Sequence, residues 1–216
     1  MKRRSLDLIV SVGGLVLAGL LLIAGLVLTS NANFARTYVH DQLAAQKISF
    51  KTADALTAEE RQQACLVSYA GQALTTGAQA ECYANNFINV HLQGIAGGKT
   101  YAELGDVQSQ LRAQNTEAQK NNAANLPDLQ KQLAGTTTSR ETVFKGETLR
   151  GLLLTSFGFS QFGEKAAQAA TVVYIGAGVL FGLALLGFWH GWRTPKTTAF
   201  AAPERVSAPA RQTTDA

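Results

Sequence analysis

Two apolar runs, residues 8–28 and 169–189, stand at either end of a polar middle, and neither contains Asp, Glu, Lys, Arg or His. At 1.5 Å per residue the first run makes a helix about 31 Å long, the thickness of a bilayer's hydrocarbon core. The pattern predicts an all-α chain in which transmembrane helices over 8–28 and 169–192 flank an extracytoplasmic helical bundle over 29–168. Residues 1–7 form a cytoplasmic N-terminus. Residues 193–216, rich in Ala, Pro, Thr and Ser, form a disordered cytoplasmic tail. The first run has the basic start of a signal peptide, and Ser30 and Ala32 could flank a cut. It is longer than a cleavable core, so it reads as an uncleaved anchor.

The middle has helical periodicity almost throughout. Residues 33–46 place Phe34 and Tyr38 on one side and Val39 and Leu43 on the adjoining one, continuing from the first apolar run. Residues 47–51, KISFK, read as a short extended connector. Thr57 with Glu60 forms a capping box, opening a helix that should run to about Leu74 before Thr75, Thr76 and Gly77 break it. Residues 79–93 give the next helix, with Tyr83, Phe87 and Val90 on one row and Ala84, Ile88 and His91 on another. A second box, Thr100 with Glu103, begins a long polar stretch, either a helix projecting into solvent or a loop. Leu126, Leu129 and Leu133 predict a short helix, GTTTS at 135–139 a linker, and 144–156 a return to apolar packing. Phe157, Phe159 and Phe162 belong either to the membrane interface or to the base of the bundle core.

Small residues mark the apolar runs. Ser11, Ala18 and Gly25 lie seven apart with Gly14 beside them, and Gly178 and Gly182 form a Gly-x-x-x-Gly pair. Such faces let helix backbones approach closely in lipid. Gly14, Ala18, Gly25, Gly178 and Gly182 are therefore candidate packing positions, between the two helices or between copies of the chain. The alternative is the ordinary abundance of Gly and Ala in membrane helices.

The net charge of +4 is uneven. Lys2, Arg3 and Arg4 outweigh Asp7 before the first run. Arg193, Lys196, Arg205 and Arg211 outweigh Glu204 and Asp215 after the second, and the middle is neutral. Cations next to membrane ends favour the cytoplasmic side, which puts both termini inside and the protein in the plasma membrane as a multi-pass chain. A nucleic-acid partner would require the surplus on a folded face. The two cysteines, Cys65 and Cys82, then lie in an oxidising compartment and read as a disulfide, with two buried thiols as the alternative.

Chemistry is sparse. His40 precedes Asp41, and His91 lies near Asn85, Asn86 and Asn89, but no local metal-ligand spacing such as HExxH joins them. Gly94 to Thr100 ends in Gly-Lys-Thr, yet a phosphate loop needs glycine where Gln93 stands. Ser68 and Ser156 have no base at a recognisable spacing. The chain therefore reads as non-enzymatic, with no cofactor and no metal. The best candidate ligand surface is Tyr83, Asn86, Phe87, Asn89 and His91, which one helix would present together.

NFARTYVHDQLAAQKISF, ECYANNFINVHLQGIAGGKTYAELG and VFKGETLRGLLLTSFGF resemble an uncharacterised family of two-pass membrane proteins from high-GC Gram-positive bacteria. The resemblance covers residues 8–192 and implies source and topology. Members sometimes carry an aromatic ring-opening dioxygenase label. Such an enzyme needs iron held by two His and a carboxylate, and His40 and His91 lack that motif, so no catalytic residue carries over.

The expected function is an accessory or interaction role in the cell envelope through the outer domain. Its partners are the bilayer and an envelope or membrane protein, or a second copy held by small-residue helix faces. A small-molecule sensor signalling through an inner partner is the second reading, and a metal-dependent enzyme a distant third.

Overall fold

The computed structural model describes residues 3–195. Thr29–Ala167 form one compact unit, and the described residues up to Leu28 and from Gln168 form another. The described residues are helical with no strand, and two of the helices are long and apolar enough to cross a membrane. The tail, read from sequence as disordered, lies outside the described residues from position 196 onward.

The apolar runs belong to α1 (Arg3–Ala45) and α7 (Leu126–Arg193). In their unit the two helices meet along a seam of small side chains. Ser11 and Ala18 are buried on α1, and Ala170, Ala177 and Ala184 on α7, both sets spaced by seven. A seven-residue repeat holds one face inward when helices coil left-handedly around each other. A Cβ on Gly14 would stand 3.6 Å from the Ala184 methyl, and one on Gly25 would come within 2.5 Å of the Tyr174 ring. Gly178 and Gly182 lie off this seam, with nothing within 4 Å of a Cβ on either. Each residue turns a helix by about 100°, so Gly178 faces away from the side that Ala177 uses. Leu17, Leu20, Ile23 and Val179 remain exposed, as lipid-facing side chains would. At one end His190 Nδ1 lies 3.1 Å from Asp7 Oδ2.

The other unit is built on local signals. Lys47, in the left-handed region at φ 54°, turns the chain out of α1. Residues 48–51 then run extended beside 71–74, with Ser49 bridged to Ala73 and Phe50 N–H bonded to Gln72 O at 2.9 Å. Three capping boxes follow, on Thr57 and Glu60, Thr76 and Gln79, and Thr100 and Glu103. The first opens α2 (Ala58–Arg61), which stops at once. A separate α3 (Ala64–Ser68) follows, where one helix to Leu74 was expected. Gly71, at φ 73°, supplies the left-handed turn after it. The second box opens α4 (Gly77–Cys82) at the place where a break was expected. A π-helical segment, Tyr83–Ile88, and α5 (Asn89–Gln93) continue it. Cys65 and Cys82 are joined, Cα atoms 6.0 Å apart, tying α3 to the end of α4.

The third box opens α6 (Tyr101–Lys120), so the polar stretch is a helix. No linker follows Leu133, because GTTTS is part of α7. Its threonines return hydrogen bonds to carbonyls one turn back, Thr137 to Leu133 at 2.8 Å among them. Packing on α6 does the rest. Gln108, 4% exposed, donates to Thr137 Oγ1 at 2.7 Å and accepts from Arg140 at 2.9 Å. Leu66, Leu74, Ala80, Ala84, Leu104 and Leu153 are among the buried core of this unit.

Candidate functional site

Two features of the Thr29–Ala167 unit carry chemistry. The first is a stack on the π-helical segment. A π turn widens the helix by one residue, and here Asn89 N–H bonds Ala84 O, five positions back. Tyr83, Phe87 and His91 consequently pack as a row of mutually tilted rings, centroids 4.6 and 4.4 Å apart. Phe50 closes on Tyr83 at 5.4 Å, and the Lys51 ammonium stands 5.2 Å from the centre of the Phe87 ring.

Glu60 sits beneath this stack, 1% exposed. Its Oε2 accepts from Thr57 N–H at 2.8 Å and its Oε1 from Lys51 Nζ at 2.7 Å, with His91 Nε2 3.4 Å from Oε1. Burial alone would push the Glu60 carboxyl up. The hydrogen bonds from Lys51 and Thr57 and the charges of Lys51 and His91 outweigh it and hold the group below its ordinary value. Tyr83 is pushed up, by burial first and by the Glu60 charge second. His91 Nδ1 lies 2.7 Å from Phe87 O. A carbonyl only accepts, so that nitrogen carries the proton, and Nε2 can donate to Glu60 when the ring is doubly protonated. With its oxygens engaged by donors, Glu60 is an anchor holding three segments together rather than a base open to substrate.

The structure thus brings Tyr83, Phe87 and His91 together and fills the space over them with the chain's own Lys51. Asn86 turns to Gln63, Nδ2 to Oε1 at 2.6 Å, and with Cys65 and Cys82 borders a shallow cleft. Asn89 contributes its backbone bond to the π turn. His40 pairs with the adjacent Asp41 in solvent.

The second feature is a groove of about 670 Å³ between α1 and α7. Its floor is Val39, Leu43 and Leu153, all buried. Its walls are Phe34 and Tyr38 on one side and Leu149, Leu152 and Phe159 on the other. Phe159 meets Phe34 and Tyr38 edge-on, at 6.4 and 5.6 Å. Phe34 is 62% exposed and Leu152 63%, so the walls stand open. No charged residue lines the groove, and its polar members, among them Gln42, Gln46 and Ser156, are neutral. Periodicity marked the Phe34 and Tyr38 face, but its opposite wall lies more than a hundred residues along the chain, where no local spacing points back.

The chain matches no family model, and no curated protein or solved structure is significantly similar to it.

Proposed function

We propose that this is a non-enzymatic protein of the bacterial cell envelope, crossing the plasma membrane twice with both termini inside. Its extracytoplasmic helical domain engages an envelope partner at the α1–α7 groove. The observation that supports this reading is the groove itself, since contiguous exposed apolar surface flanked by polar groups marks interaction sites. The orientation rests on the cations that flank the apolar runs. The test is a photo-crosslinking residue in place of Leu152 in whole cells. A specific adduct supports the reading, and an uncrosslinked chain in all growth conditions refutes it. Protease treatment or an impermeant amine label applied to intact cells should reach the 29–167 unit and spare the C-terminal end; the reverse pattern refutes the topology. A small-molecule module is the second reading, favoured by a groove volume within the range of ligand pockets. A thermal shift with an envelope metabolite would support it.

A further inference from the structure

Glycines bring three segments of the 29–167 unit close together. A Cβ on Gly77, at the start of α4, would collide with Ser160 of α7. One on Gly163 of α7 would come 2.8 Å from the Ala35 methyl of α1. Beside these contacts lies a cleft of about 490 Å³, a volume within the range of small-ligand sites. Val39 lines both this cleft and the apolar groove, so the two flank one buried position of α1.

The cleft is lined by charge, unlike the groove. Arg36 and His40, one helical turn apart, line it from α1 and Glu164 from α7, with Thr76 and Ser160 adding hydroxyls. The three ionisable groups are exposed, so a solute reaches them without rearrangement. Arg36 makes no hydrogen bond, ion pair or ring contact among the described residues. Glu164 Oε2 accepts from the Gln161 amide of its own helix at 3.5 Å. A guanidinium and a carboxylate therefore line one cavity without neutralising each other. Arg36 offers a carboxylate a fork of N–H donors, and Glu164 offers an ammonium an anionic acceptor. An ion of one sign satisfies one wall and is repelled by the other. A zwitterion satisfies both.

We infer that this cleft binds a small zwitterion of the amino-acid or short-peptide class, its carboxylate on Arg36 and its ammonium on Glu164. The site lies wholly within the 29–167 unit. It rests neither on the apolar groove nor on the membrane orientation, so each reading can fail while the other stands.

The test is isothermal titration calorimetry on the purified full chain in mild detergent, with alanine, alanyl-alanine and trialanine as probes. The expected result is saturable binding of at least one. N-acetylation removes the ammonium and C-terminal amidation the carboxylate. Each should weaken that probe about tenfold or more, the loss of one charge-assisted pair. Glu164→Gln should erase the preference for the free amine and keep that for the free acid, and Arg36→Gln should do the reverse. Both positions are exposed, so neither substitution removes core packing. Lys145→Gln, exposed and outside the cleft, should leave both preferences intact. Failure of all three probes to saturate overturns the inference. So does equal binding of the blocked and free forms, or a preference that survives the matching substitution.

Discussion

The seam of the apolar unit and the core of the 29–167 unit solve the same packing problem with opposite materials. The seam buries Ser11, Ala18, Ala170, Ala177 and Ala184 and turns its leucines outward. The other unit buries Leu66, Leu74, Leu104 and Leu153 and adds a disulfide, three caps and a buried carboxylate. On the proposed membrane reading, the difference follows from the solvent each side chain meets. In lipid an outward leucine costs nothing, so close backbone approach decides the packing. In water apolar area must go inside, and a small unit with short helices needs staples as well.

If the comparison holds, the largest effects fall in the stapled unit. Leu74→Ala, at a fully buried site, should destabilise that unit by about 4 kcal/mol, read by chemical unfolding in mild detergent. Loss of the bridge by Cys65→Ala with Cys82→Ala should cost about 3 kcal/mol, the loop-entropy value for a separation of 17 residues. An unchanged midpoint would mean that the bridge is not a staple. Glu60→Gln keeps a capping side chain but removes the ion pair, for a loss of about 2 kcal/mol.

Glu60 also makes stability depend on pH. Its folded-state value lies below the 4.5 of the free side chain. The stabilisation is full above about pH 4.5 and is lost as pH falls through the lower folded value. Tyr83 acts at the other end. Its value is raised above 10.0, so stability is intact below pH 10 and declines as pH climbs past it. Acid unfolding of Glu60→Gln should lose the Glu60 contribution, which distinguishes the carboxylate from general acid expansion. The smallest effects test the seam. Gly25→Leu should loosen the helix pair by about 1 kcal/mol, through collision with Tyr174. Gly178→Leu, with open space around it, should leave the isolated chain unchanged. Equal effects at the two glycines would dissolve the distinction.

Features written within one helical turn were legible in the sequence. Thr57 with Glu60 and Thr100 with Glu103 are capping boxes by spacing, and both are present. Thr76 and Gln79 follow the same grammar, masked by the glycine between them that suggested a break. The seven-residue spacing of Ala170, Ala177 and Ala184 is equally open to reading, although the nearby Gly178 and Gly182 pair points to another face. GTTTS was not legible as helix. Gly and Thr are poor helix formers, and what holds them, Gln108 of α6 donating to Thr137 and accepting from the neighbouring Arg140, acts through tertiary packing. The π turn had no signature of its own, so the stacking of Tyr83, Phe87 and His91 over Glu60 emerged only in three dimensions. The groove was hidden for a simpler reason, because its two walls come from opposite ends of the middle segment.

The triple engagement of Glu60 has a kinetic corollary. One carboxylate joins the start of α2, the extended 48–51 segment and the end of the π-helical row, so these pieces cannot open one at a time. Amide deuteration of Thr57, Phe50 and Leu74 should therefore proceed through a shared opening event with a common free energy, instead of graded fraying from each end.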